Sequence, residues 1–190
     1  MYGLNRGEAF AFVLISTIDT LDAVLAAHAE VLGEDSVRYR NHTYRVANFC
    51  DSLAAPGGSQ IEKVAIAAAF HDLGIWTAGT FDYLAPSIQL ATSWLDENGR
   101  SSWTAEIETM ILEHHKVGPY RGPAHWLVEP FRRADWADVS RGMIRWGVNR
   151  HLLAEAYRAW PSAGFHRRLV QLSLARARTH PLNPLPMIRF

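Results

Sequence analysis

The stretch Ile61-Glu62-Lys63-Val64-Ala65-Ile66-Ala67-Ala68-Ala69-Phe70-His71-Asp72 decides how the chain folds. Ile61, Val64, Ala65 and Ala68 recur at helical spacing, and alanine is the strongest helix former. No glycine or proline interrupts the pattern before Gly74, which predicts one helix over Ile61–Asp72. The apolar stripe of that helix runs straight into two polar residues, His71 and Asp72.

Working outward, the same periodicity predicts one long helix or two over Glu8–Leu32, and helices over Asp35–Leu53, Ser87–Asn98 (with Ser87 as N-cap), Thr104–His115 and Leu127–Val139. Shorter ones are expected over Arg141–Val148 and Arg150–Ala159, and a last one over Gly164–Thr179. Gly33, Pro56-Gly57-Gly58, Gly99, Gly118-Pro119 and Pro161 separate them. Ile75–Pro86 reads as a loop. The tail Pro181–Phe190, with three prolines, reads as an extended segment packed on the surface or on a neighbour. The 26 alanines and 19 leucines outnumber the 30 valines, isoleucines and threonines, and no segment alternates with period two. The expectation is an all-α chain forming a compact single-domain helical bundle.

A length of 190 residues suits one domain at about 100–200 residues each. The 48% hydrophobic and 20% charged content excludes a wholly disordered chain. A single cysteine, Cys50, excludes an internal disulfide and a cysteine-based zinc cage, and it fits a cytoplasmic location. The apolar run Ala9–Ile15 is too short to span a bilayer, which takes about 20 residues. It lacks a clear cleavage site and is taken as part of the first helix. The net charge of zero hides an asymmetry. Residues 1–117 carry 15 acids against 7 Lys/Arg, whereas residues 118–190 carry 4 acids against 12 arginines. Either the two parts pack and neutralise each other, or the arginines form a local site for an anionic substrate. The arginines are scattered and no nucleic-acid-binding motif is present, which argues against nucleic acid as partner.

Four helices send His or Asp toward the interior. His42 lies on the stripe of Tyr39, Val46 and Cys50. His71-Asp72 ends its helix, His114 follows Ile107 and Ile111, and Asp135 and Asp138 share a face with Phe131. With 9 His and 9 Asp, about 0.4 His-Asp dipeptides are expected by chance, so the pair means little without this context. Burying isolated carboxylates and imidazoles costs several kcal/mol each. Convergence on one divalent metal, for which both are natural ligands, answers that cost economically.

The order His42, then Ala69-Phe70-His71-Asp72-Leu73-Gly74, then Arg133-Ala134-Asp135, resembles the HD superfamily of metal-dependent phosphohydrolases. The likeness covers about residues 35–140, leaving helices in 141–179 and the tail 180–190 outside it. The superfamily fold is all-α. The resemblance implies that His42, His71, Asp72 and Asp135 bind one divalent ion, of which Zn, Mn, Fe, Co and Ni are candidates. It implies a hydrolase using a metal-activated water on a small, anionic, phosphorylated metabolite or nucleotide.

The stretch Phe81-Asp82-Tyr83 and the later Ile111-Leu112-Glu113-His114 also look like the cyanamide-hydratase-like and dinuclear branches. A second metal would then be held by His114, Asp82 and a bridging Asp72. Alternative activities are therefore a hydratase on a small nitrile-like substrate or a dinuclear iron oxygenase, and a non-catalytic binding module is a third class. Ile75-Trp76 stands where the 5′-nucleotidase branch carries a glutamate.

In the hydrolase reading Asp72 also orients the nucleophile, and His114 and His115 supply the leaving-group proton. Lys116 is either an anion clamp or a solvated loop lysine. Arg132 and Arg133 either meet phosphate or pair with Glu129 and Asp138, and Arg45 has the same two readings. Asp138 is placed to orient a ligand. Trp76, Tyr83 and Trp136 either line the substrate pocket or belong to the core, and the tail offers a surface for a homodimer.

Overall fold

A computed structural model describes residues 13–54 and 60–190. Ten α-helices follow one another among them: α1 Asp19–Ala27, α2 Ala29–Leu32, α3 Ser36–Leu53, α4 Ile61–Phe70, α5 Gly74–Thr77, α6 Leu84–Glu97, α7 Thr104–Glu113, α8 His125–Val139, α9 Arg150–Ala159 and α10 Phe165–Thr179. The described residues contain no β-strand, and the chain is all-α. No described helix is long and apolar enough to cross a membrane.

Helix α4 is the hub. Every residue from Val64 to Phe70 is buried, so this helix is apolar all round and sits among α1, α3, α6 and α7. Its alanines let neighbouring backbones come close, and Ile66 and Phe70 fill the remaining space at roughly 1.5–3 kcal/mol each. Helix α3 lies beside it and packs most extensively on α8. This arrangement brings the end of α4, the middle of α3, the middle of α8 and the end of α7 to one place.

The local structure departs from the sequence expectations in four places. Of the helix expected over Glu8–Leu32, residues 8–12 lie outside the described residues. The remainder begins only at Asp19 and, as the two-helix alternative allows, divides at His28 into α1 and α2; the His28 ring Nδ1 contacts the Val24 carbonyl at 2.8 Å. The expected loop Ile75–Pro86 contains α5 and the start of α6. Pro86 is the third residue of α6, where an amide hydrogen would have no helical partner anyway. Ser87 is therefore not an N-cap; its Oγ accepts the Gly74 N–H at 2.9 Å. No helix forms over Arg141–Val148, because α8 ends in a left-handed cap. The Arg141 N–H bonds the Asp138 carbonyl, the Gly142 N–H bonds the Ala137 carbonyl, and Arg141 has φ 53°. Trp146 at φ 37° and Gly147 at φ 108° then keep the segment irregular.

The tail lies on the surface of its own chain. Met187 is buried with Ile75, Phe81 and Tyr83, and the Val117 N–H bonds the Arg189 carbonyl at 2.7 Å. Of the twelve arginines in residues 118–190, two pair with acids of the first part among the described residues: Arg168 with Asp35 and Arg189 with Glu113.

Gly74 marks the tightest approach between elements. A Cβ there would stand 2.5 Å from the Tyr83 carbonyl oxygen and 2.9 Å from the Ser87 nitrogen, both backbone atoms. Gly74→Ala should therefore destabilise the chain by about 1–3 kcal/mol, read as a lower midpoint in thermal unfolding. An unchanged midpoint would show that α5 and α6 are free to separate.

Candidate metal centre

Each helix supplies donors for a local reason. His42 and Asp135 sit mid-helix on the inner faces of α3 and α8. His71 and Asp72 occupy the turn that closes α4, where the His71 N–H still bonds the Ala67 carbonyl at 2.9 Å. His114 does the same at the end of α7. All five residues are buried.

Their donor atoms converge. His42 Nε2 lies 3.0 Å from His71 Nε2, 3.7 Å from Asp72 Oδ2 and 3.5 Å from Asp135 Oδ1. His71 Nε2 lies 3.4 Å from Asp72 Oδ2 and 3.7 Å from Asp135 Oδ1. His114 Nε2 stands 3.5 Å from Asp72 Oδ1, and His115 Nδ1 stands 3.4 Å from Asp135 Oδ2. Ligands held about 2.1 Å from an ion lie about 3.0 Å apart in an octahedron and about 3.4 Å apart in a tetrahedron. The observed separations fall around those values.

The tautomers point the same way. His71 Nδ1 faces the Ala68 carbonyl at 2.8 Å and His114 Nδ1 faces the Ile111 carbonyl at 2.6 Å. A carbonyl only accepts, so both Nδ1 atoms donate and both rings turn Nε2 inward. His42 Nδ1 faces Asp138 Oδ2 at 2.6 Å, leaving its Nε2 turned toward that of His71. Opposite them, Asp72 Oδ1 and both oxygens of Asp135 are buried and accept no hydrogen bond. Two imidazole nitrogens 3.0 Å apart beside buried carboxylate oxygens that accept no hydrogen bond form a donor set that a cation would satisfy.

The electrostatics agree. Burial alone would raise the Asp72 carboxyl, but His71 and then His114 hold it well below the usual carboxylate range. Asp135 is likewise lowered against its burial by His71 and His115. Burial disfavours a charged His71, yet the Asp72 and Asp135 carboxylates outweigh it and raise that ring. The donor set fits a divalent cation. Three overlapping groups of donors could hold one: His42, His71 and Asp135; His71, Asp72 and His114; and His114, His115 and Asp135.

A second layer fixes these ligands. Arg45, fully buried, meets Asp138 through Nε at 2.5 Å and Nη2 at 2.8 Å and also donates to the Trp160 carbonyl. Asp138 thus takes Arg45 on both oxygens and shares Oδ2 with His42, and despite burial its carboxyl stays strongly depressed. Phe165 stacks on the His42 ring at 4.1 Å. Of the two readings open for Arg45 and Arg132, both are structural: Arg132 pairs with Glu129 rather than with Asp138.

The remaining candidates are placed unequally. His115 is 12% exposed, and its Nε2 lies 3.0 Å from the Tyr83 hydroxyl, which is also 3.5 Å from His114 Nε2. Trp136 meets the His115 ring edge to face and donates to the Lys116 carbonyl. Lys116 Nζ hydrogen-bonds the Phe190 carbonyl, so it is tied to the tail. Arg133 is 42% exposed and pairs with Glu129. Asp82 does not join the cluster. Phe81 and Tyr83 on either side turn inward, which leaves Asp82 exposed and removes it from the second-metal set; His115 and Asp135 take that place beside His114. Phe165 and the Trp160 carbonyl were not legible in sequence, since nothing local marks residues that contact α3 across more than a hundred positions.

Comparison with family models, curated proteins and solved structures finds no match for this chain.

Two outcomes test the supporting layer. Asp138→Ala leaves the Arg45 charge buried without a partner and should cost about 3–5 kcal/mol in urea unfolding. Glu129 ties Arg132, the Tyr120 N–H and Arg133 together; burial would raise its carboxyl, but these donors hold it at about 2. The ordinary value lies above this, so the stabilisation is present above about pH 4.5 and lost as pH falls toward 2. Melting curves of wild type and Glu129→Gln should therefore converge across that window, and a constant gap between them would contradict the assignment.

Proposed function

We propose that the chain is a metal-dependent hydrolase of a small phosphorylated metabolite or nucleotide, with His42, His71, Asp72 and Asp135 as the ligands of one divalent ion. One observation carries this reading: buried carboxylate oxygens that accept no hydrogen bond face imidazole nitrogens whose partners on the other edge are already fixed. The resemblance of the His42, His71-Asp72, Asp135 order to the HD superfamily supports it. Mixed imidazole and carboxylate donors suit Zn, Mn, Fe, Co or Ni.

A divalent ion bound there supplies Lewis acidity, which lowers the pKa of a water and draws charge from a phosphoryl oxygen. The residues do the rest. Asp138 holds His42 in the tautomer that presents Nε2. Asp72 keeps an oxygen free to accept a hydrogen bond from the attacking water and so orient it. His115, 12% exposed, stands on the least enclosed side of the cluster, with the buried Tyr83 behind it. Burial, then the neighbouring His114, hold the His115 ring down to about 4, so it is neutral at pH 7. Its Nε2 accepts the Tyr83 hydroxyl, and this pair is the one placed to pass a proton to or from a substrate. Trp136 walls that side and Lys116 flanks it.

A second reading has its own observation. His114 and His115 with Asp135, and His71 and Asp72 with His114, form further donor groups that would suit a two-ion centre. That arrangement favours the dinuclear oxygenase alternative. Two irons per chain with oxygen-dependent turnover would select it, and one ion with phosphate release would select the hydrolase.

Turnover of a panel of phosphate esters should vanish on chelation and return with added divalent metal. Asp72→Ala should lose most metal and most turnover while keeping its helical circular-dichroism signal. Full activity in the chelated protein would contradict the mechanism.

A further inference from the structure

Between α3 and α10, away from the metal centre, Arg38, Arg167, Arg168 and Gln171 line a cavity of about 240 Å³ whose wall includes no acid. It adjoins a second cavity of about 470 Å³ that shares those four residues and adds Val31, Leu32, Trp76 and the acids Glu34 and Asp35. No donor of the metal centre lines either one.

Asp35 organises the cleft. It is 6% exposed, and both its oxygens are taken. Arg38 Nη1 meets Oδ1 at 2.7 Å, while Arg168 Nε at 2.9 Å and Trp76 Nε1 at 2.8 Å share Oδ2. One buried carboxylate thus fixes two guanidiniums and an indole around the cavities. A guanidinium carries five N–H donors, and Asp35 engages one from each arginine. Arg167 and Gln171 make no side-chain hydrogen bond among the described residues, so their donors are free as well. Glu34 is exposed, at the outer edge. Arg167 and Gln171 are exposed, so the cleft opens to solvent, and the buried Asp35 carboxylate holds Arg38 and Arg168 at its wall.

We propose that this cleft is a binding site for a small phosphorylated molecule. Its phosphate sits among Arg38, Arg167 and Arg168, and its flat or apolar body lies in the larger cavity against Trp76. Fixed planar guanidiniums match phosphate oxygens, and the cavity sizes fall in or near the usual range of about 300–1,000 Å³ for small-molecule sites. The site stands or falls independently of the metal-centre reading.

Calorimetric titration of the full chain with inorganic phosphate and with phenylphosphonate, which has no ester bond to hydrolyse, tests this. Phenylphosphonate should bind more tightly than phosphate. Arg167→Gln should weaken both at least tenfold, while its melting midpoint without ligand stays at the wild-type value. Arg168→Gln should weaken both as well. Unchanged affinity in both variants would overturn the proposal. So would affinity lost in Asp72→Asn but kept in Arg167→Gln, which would put the anion on the metal centre. Binding of a single-stranded RNA oligomer with neither small ligand taken up would overturn it too.

Discussion

Asp72 and Asp135 carry negative charge into the buried interior, where Asp72 Oδ1 and both oxygens of Asp135 accept no hydrogen bond. An isolated buried carboxylate ordinarily takes up a proton, because ionised it costs several kcal/mol. Here the surroundings do the opposite and favour the ionised forms, through His71 at the end of α4 and His114 and His115 at the end of α7. The need to place a positive charge among these groups constrains everything built around them.

The bundle meets that constraint with backbone geometry. Two donors sit mid-helix, on α3 and α8, and the others sit where α4 and α7 end. Helix ends are useful there because the closing turn leaves carbonyls, those of Ala68 and Ile111, free to fix the imidazole tautomers. Asp138 performs the same service for His42 and is itself neutralised by Arg45, so a buried charge pair stiffens the centre rather than loosening it. Phe165 closes the stack over His42 and ties α10 to the same place.

Much of this was legible in the chain. The inward stripes placed His42, His71, Asp72, His114 and Asp135 on interior faces because helical period and burial are linked at short range. Asp138 was legible as a support because it lies one turn from Asp135. Asp82 misled because no helical face fixes a residue in a connecting segment; its direction followed from Phe81 and Tyr83. The left-handed cap after α8 depends on the φ of Arg141 and on two backbone hydrogen bonds that periodicity does not encode. The cleft of Arg38, Arg167 and Arg168 joins helices more than a hundred residues apart, so sequence showed an arginine excess without its location.

The central claim is that a cation belongs between the Nε2 atoms of His42 and His71 and the carboxylates of Asp72 and Asp135. Crystals of the full chain, with diffraction collected on both sides of a transition-metal absorption edge, test it most directly. The account predicts an anomalous peak within bonding distance of those four side chains. An ordered centre with no peak after growth in divalent metal, its imidazoles and carboxylates joined only by protons or water, would contradict it.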